Sequence, residues 1–330
     1  MARLFFHTLV LSTLVYLTTA IPTTRNSPSF LLPVHLKAKA DIPSPLFPSI
    51  KTLTSPVISS FKPYSYYASA AYCTPNTTIN WSCGANCDAN SGFKPSAAGG
   101  DGTDTQFWYV GYDANINTVV VAHQGTDKHS IMALLDDADI LMTPLNSTLF
   151  PTSTFPDSMQ VHKGFSDDHS RTAIDIYVAV VNEIVANIDK TPSVTLIGHS
   201  LGAALSLLDA VMFVSHFPDW VHIQYIGYGL PRVGNQEFAD YVDAHLVMTS
   251  DNGFWRITNK KDPVPINPGK FLGYHHPSGE VHIEETNAWD SCPGQDNPSS
   301  LCIVGAVDND FVGDLDNHDG PYDGVTMGCD

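Results

Sequence analysis

Positive charge is what this sequence has least of. Sixteen Lys and Arg stand against 34 Asp and Glu, a formal net charge of -18 with His neutral. That balance excludes nucleic acid as a natural partner, because phosphate binding needs clustered Lys and Arg. It also disfavours a strongly anionic membrane surface by Coulomb repulsion. Neutral substrates escape both arguments. Charged residues of either sign make up only 15%, low for a cytosolic protein, whereas 43% hydrophobic residues are enough for a sizeable core. Beyond the first twenty residues no apolar run is long enough to cross a bilayer. No CxxC pair occurs, which argues against a zinc site, and no metal is expected. No internal repeat or low-complexity tract interrupts the body of the chain, which reads as one domain.

The N-terminus supplies the first positive signal. Arg3, an apolar stretch from Leu4 to Leu17 and the small residues Thr18-Thr19-Ala20 make residues 1–20 a secretory signal peptide. Residues 21–62 are rich in Pro and Ser without steady periodicity, and read as a propeptide or an extension packed on the surface. Residues 63–330 form the expected folded domain. Three further features agree with secretion to the extracellular space. Glycosylation sequons begin at Asn76, Asn80 and Asn146. The six cysteines are an even number, and disulfides persist in an oxidising compartment. Six cysteines allow fifteen pairings, among which composition does not choose.

Strand-like runs at Gln106–Tyr112, Thr118–His123, Val194–Ile197, Ile223–Tyr228 and Phe254–Thr258 alternate with helical patterns at Thr172–Ile188 and Leu201–Val214, and YSYYASAAY at Tyr64–Tyr72 also looks helical. Such alternation predicts an α/β fold, a mostly parallel central sheet covered by helices. The β-branched run TVVVAH at Thr118–His123 suits a strand buried on both faces.

The most specific motif is Gly198-His199-Ser200-Leu201-Gly202, placed between the strand VTLI and the apolar helix AALSLL. A G-x-S-x-G in that context is a nucleophile elbow. The chain reverses sharply at the serine, and only glycines two residues to either side let strand and helix approach. Ser200 Oγ is thereby presented at a helix N-terminus, where the dipole favours developing negative charge. The N–H of Leu201 points the same way and is a candidate oxyanion donor.

A serine nucleophile needs a base, and the base an orienting carboxylate, in the chain order Ser, acid, His for this fold class. Asp262 follows the strand FWRIT through a short turn and so falls at the active-site edge of the sheet. Histidines beyond it are His275, His276, His282 and His318. The first three lie in GYHHPSGEVHI, which looks like a hairpin. His318 sits in the loop LDNHDG, from which a base can reach across to Ser200. The residues themselves favour His318 and leave His276 open. Asp308–Gly313 begins like a calcium loop, but Val312 replaces an oxygen ligand and no Glu closes it, so a solvated acidic loop is the plainer reading.

Taken together, VVVAHQGTD (Val119–Asp127), VHKGF (Val161–Phe165), GHSLGAALS (Gly198–Ser206), GYGLPRVGN (Gly227–Asn235), RITNKKDPVP (Arg256–Pro265) and HPSGEVHI (His276–Ile283) resemble the fungal class 3 lipases, a family that includes some feruloyl esterases. The resemblance runs from about Tyr64 to Cys329. It implies an α/β-hydrolase fold with a short helical lid, Ser200 as nucleophile, Asp262 as acid and His318 as base. It places the second oxyanion donor on Thr126 and leaves His276 a structural role. It also implies the disulfides Cys73–Cys329, Cys83–Cys87 and Cys292–Cys302. Departures, such as Asn259 where relatives often have His and Leu230 before Pro231, touch flanks rather than the triad.

After the oxyanion residue, Ile131, Leu134 and Leu135 recur at helical spacing and Met132 widens the stripe. A lid with that face covers a greasy site in water and opens on a lipid surface. The expectation is a monomeric, cofactor-free ester hydrolase of the triacylglycerol lipase type, acting on lipid or another ester at a transient oil–water interface. The alternative is a feruloyl-type or other non-lipid carboxylesterase on the same fold.

Overall fold

Residues 49–126, 130–132, 140–190, 193–247 and 253–329 are described by the computed structural model. The strands are, in chain order, β1 (Lys51–Thr52), β2 (Phe93–Gly99), β3 (Trp108–Asp113), β4 (Thr118–His123), β5 (Met142–Pro144), β6 (Gln160–His162), β7 (Ser193–His199), β8 (His222–Tyr228), β9 (Gly234–Asn235), β10 (Phe254–Asn259), β11 (Tyr274–His275), β12 (Glu280–Ile283) and β13 (Trp289–Cys292). The helices that matter below are α1 (Ser55–Ser60), α2 (Lys62–Ala70), α3 (Pro75–Ile79), α4 (Ala85–Asp88), α5 (Lys163–Ala186) and α6 (Leu201–His216).

Nine strands form one sheet in the order β1-β13-β12-β10-β8-β7-β4-β3-β2. Its centre, β4-β7-β8-β10-β12, is parallel throughout. Antiparallel β3 and β2 extend one flank, β13 and β1 the other. Side chains alternate across the sheet as strand geometry requires. Val119, Val121, Val194 and Leu196 enter a core shared with α5 and α6. Val120, Ala122, Ile197, Ile226 and Ile257 enter a second core with α2 and the C-terminal segment. Both faces are thus covered, which is why the central strands read as continuous apolar runs. A smaller antiparallel sheet, β11-β9-β6-β5, lies beyond.

Cys73 pairs with Cys329, Cys83 with Cys87 and Cys292 with Cys302. The first ties the segment after α2 to the C-terminus, across 256 residues. Asn76 and Asn80 are exposed, within and just after α3, and Asn146 lies half-buried in a turn.

The fold departs from the sequence reading in three places. GYHHPSGEVHI is not a hairpin: β11 pairs with β9, whereas β12 joins the main sheet parallel to β10. Asp243 on another element captures Ser278 between them, accepting from its N–H and Oγ at 2.7 Å each, so the two halves enter different sheets. The boundary drawn at residue 62 falls inside structure. Residues 51–52 pair with β13, and Phe61 is buried against the rings of Trp255 and Trp289. A two-residue strand and a six-residue helix carry no periodicity to read. Finally, α5 begins at Lys163, nine residues before the apolar pattern at Thr172 becomes regular, because Phe165 and His169 already face the core. Residues 1–48, including the signal-peptide assignment, lie outside the described residues.

Candidate active site

Ser200 joins β7 to α6 with φ 59° and ψ -130°, the left-handed side of backbone space that costs a non-glycine residue strain. Neighbouring backbone enforces this turn. Ser200 N–H donates to the Tyr228 carbonyl at 2.9 Å, and its carbonyl accepts from Ala203 N–H at 3.0 Å. A Cβ on Gly198 would lie 2.2 Å from the Gly202 carbonyl oxygen, and one on Gly202 would lie 2.3 Å from that of His123. Strand β4, β7 and helix α6 therefore meet at a spacing that only glycine permits.

Asp262 follows β10 through a turn closed by its own N–H to the Asn259 carbonyl, 3.0 Å. One carboxylate oxygen accepts from Val264 N–H at 2.9 Å, the other from His318 Nδ1 at 2.9 Å. A carboxylate only accepts, so Nδ1 carries the proton and Nε2 is left as the basic nitrogen. Among the described residues neither His318 Nε2 nor Ser200 Oγ has a hydrogen-bond partner, and both are buried. The two share one corner of the site. Ser200 is bonded to Tyr228, and a Cβ on the next residue, Gly229, would lie 2.9 Å from the His318 ring. Such pairs commonly tighten only when substrate binds.

Of the later histidines, only His318 meets Asp262. His276 Nε2 donates to the Pro265 carbonyl at 2.7 Å, and burial foremost, with Arg256 nearby, holds it well below the usual imidazole range. His282 bonds Thr258 at 2.9 Å, and His275 faces Asp296 at 3.6 Å.

Several groups around the site were not read from the sequence. His199 Nε2 donates to the His318 carbonyl at 2.8 Å, so Nδ1 must accept from the Tyr72 hydroxyl at 2.6 Å. Its ring lies 4.4 Å from that of His318. Burial first, and His318 second, push the His199 pKa well below its usual value. Tyr322 also donates to the His318 carbonyl, 2.9 Å. Asn259 Nδ2 donates to the Asn317 carbonyl at 2.8 Å, latching the His318 loop to the end of β10. Behind the site, Asp209 in α6 accepts from His123 at 2.7 Å and His169 at 2.9 Å, all three buried. Burial would raise the Asp209 pKa, but those two donors bring it below the ordinary value. An acid inside LGAALSLLDAVMFV was a legible signal, since a buried carboxylate demands partners.

The residues expected to stabilise an oxyanion lie beside the serine. A Cβ on Gly125 would touch His199 O at 2.6 Å and Ser200 Cβ at 3.0 Å, which brings Thr126 to the nucleophile. Leu201 is the first residue of α6, where N–H groups have no acceptor within the helix. In the expected lid, residues 130–132 are helical; Ile131 is wholly buried in the main core and Met132 packs on it. Leu134 and Leu135 lie outside the described residues.

An elbow at the centre of a parallel sheet, with an acid and a histidine arriving after it in chain order, defines an α/β-hydrolase. A family model described as Lipase (class 3) matches residues 120–272. A secreted mono- and diacylglycerol lipase of Malassezia globosa, MDL2, is 33% identical over 221 residues, 66% of this chain and 68% of that protein. Another from the same fungus, MDL4, is 28% identical over 303 residues, 88% of this chain and 87% of that protein. The solved structure of Lip2 lipase from Yarrowia lipolytica shares the fold, with a TM-score of 0.70 at 24% identity, covering 86% of this chain and 98% of that one. The chain belongs to the class 3 lipase family and is a carboxylic ester hydrolase. The family-model match ends at residue 272, so the assignment of His318 stands on the geometry.

Proposed function

We propose that this protein is a secreted acylglycerol lipase that cleaves its ester at a lipid–water interface through Ser200, His318 and Asp262. The observation that carries the reading is the Asp262–His318 pair at 2.9 Å with Nε2 left free beside a buried, unpaired Ser200 Oγ. In the proposed reaction His318 Nε2 takes the Ser200 proton as Oγ attacks the ester carbonyl. Asp262 holds the Nδ1–H tautomer and balances the imidazolium. The N–H groups of Thr126 and Leu201 receive the negative charge on the carbonyl oxygen. His318 returns the proton to the departing alcohol. It then deprotonates the water that releases the fatty acid and regenerates Ser200. Secretion is supported by the names of the relatives and by three disulfides.

The relatives' names favour partial glycerides as substrates, alongside the triacylglycerol expected from the sequence. Hydrolysis of emulsified triolein, diolein and monoolein, dissolved tributyrin and a feruloyl ester, by wild type and Ser200→Ala, tests the reading. Ser200-dependent release of fatty acid from emulsified glycerides is the expected result. Ser200-dependent cleavage of dissolved esters alone would replace lipase with esterase. Activity that survives Ser200→Ala would remove the serine from the mechanism.

A further inference from the structure

Two phenylalanines stand out in solvent, Phe271 at 90% and Phe311 at 100% exposure. They sit on the two loops that serve the triad. Phe271 lies nine residues after Asp262, and Phe311 seven before His318. Those loops are fastened together. Asn267 Nδ2 donates to Asp310 at 2.6 Å, Asp314 N–H donates to the Lys261 carbonyl at 2.7 Å, and Gly313 packs on Pro263. Buried Arg232 grips the Ile266 and Pro268 carbonyls, which holds the backbone leading to Phe271. Leu272 and Val312, also exposed, follow each phenylalanine. Exposed Leu141 completes the edge, because the Ile140 carbonyl accepts from Tyr274 at 2.7 Å. Clustered large apolar groups in water mark a contact surface.

We propose that Phe271 and Phe311, with Leu141, Leu272 and Val312, form a permanent docking edge that seats the protein on an uncharged lipid surface. This rests on the acylglycerol lipase reading and goes beyond it, since these side chains are exposed in the structure as it stands. The charge pattern names the occupant. Exposed Asp308, Asp310 and Asp314 collar Phe311, on a chain of net charge -18. Anionic lipid and a second copy of this chain are both repelled, and a neutral or zwitterionic surface is not. Position agrees, for the edge stands on the segments that follow Asp262 and precede His318.

The test uses the full chain carrying Ser200→Ala, so that lipid is not consumed. Its adsorption to triolein droplets coated with phosphatidylcholine is compared with that of the same protein carrying Phe271→Ser and Phe311→Ser. Both side chains are in solvent, and an unchanged unfolding curve checks the fold. Burying a phenyl ring is worth about tenfold in partition, so at least a tenfold loss is expected. Coating with phosphatidylglycerol should weaken adsorption of the parent at low salt and recover with added salt. With Ser200 present, the double variant should lose emulsion hydrolysis and keep its rate on a dissolved short-chain ester. Undiminished adsorption with intact emulsion hydrolysis would overturn the docking edge alone. A parent that adsorbs to neither lipid, and cleaves only dissolved esters, would overturn the lipase reading and the edge with it. Equal loss on the dissolved ester would overturn docking as the role of these residues.

Discussion

The substitution Asp262→Asn probes the proposed triad with least disturbance, because one buried backbone donor decides how the amide must sit. Asp262 accepts from Val264 N–H with one oxygen and from His318 Nδ1–H with the other. Asparagine has one acceptor. If its oxygen faces Val264, its NH2 faces His318 Nδ1, which must then give up its proton to Nε2. That is the nitrogen required to take the proton of Ser200. If the amide turns over, two buried donors oppose each other at Val264, at a cost of about 1–3 kcal/mol. The first arrangement is therefore the favoured one and it disables the base, so the expected fall in kcat is about 10⁴-fold, or about 5 kcal/mol of barrier. The assay is steady-state hydrolysis of a dissolved p-nitrophenyl ester, with urea unfolding run in parallel. KM should change little, since Asp262 lies behind the histidine. A folded variant retaining kcat within about tenfold of wild type would refute the reasoning, and another carboxylate would have to orient His318.

Three further outcomes follow from particular contacts. Gly202→Ala drives a Cβ to within 2.3 Å of the His123 carbonyl and 2.6 Å of the Gln124 carbonyl, both backbone. It should cost about 1–3 kcal/mol in urea unfolding and lower kcat more than it raises KM, by displacing Thr126. Asp296 is buried, which opposes its ionisation, but His276, Arg232 and Arg256 around it bring its pKa down to about 2. A depressed carboxyl stabilises above its unfolded value near 4, and that contribution is lost as the pH falls towards 2. Asp296→Asn should therefore flatten the fall of melting temperature over that window, removing about 2 kcal/mol of pH dependence. Replacing Cys73 and Cys329 by Ser opens a 256-residue loop. The chain-entropy limit is about 5 kcal/mol, read as a lower urea midpoint.

The elbow was legible because everything that makes it is local. Strand, turn and helix occupy adjacent residues, and both glycines announce a close approach. Asp262 was legible as a strand-end acid, and His318 as a histidine in a late loop. His199 was quoted within the motif, yet its grip on the His318 carbonyl spans 119 residues and leaves no trace in any window of sequence. The same holds for Tyr72, 127 residues from His199. Asp209 was an overlooked anomaly, a carboxylate in an otherwise apolar helix. The mistaken hairpin at Tyr274–Ile283 failed for the converse reason. Its turn residues are locally persuasive, but Asp243 holds Ser278 from elsewhere in the chain, and EVHI pairs instead with β10 and β13.

These non-local contacts also confine the charge that the proposed chemistry creates. When His318 takes a proton, its ring faces Asp262 on one side and the His199 ring, 4.4 Å away, on another. A second cation at His199 would oppose the first, and two features keep it neutral. Burial disfavours the imidazolium, and so does the positive charge that His318 acquires beside it. Neutral His199 can then donate from Nε2 to the backbone of His318 through the whole cycle, holding the base in place whichever protonation state it is in. The residue beside the nucleophile thereby positions the base, and the proton from Ser200 has one nitrogen to occupy.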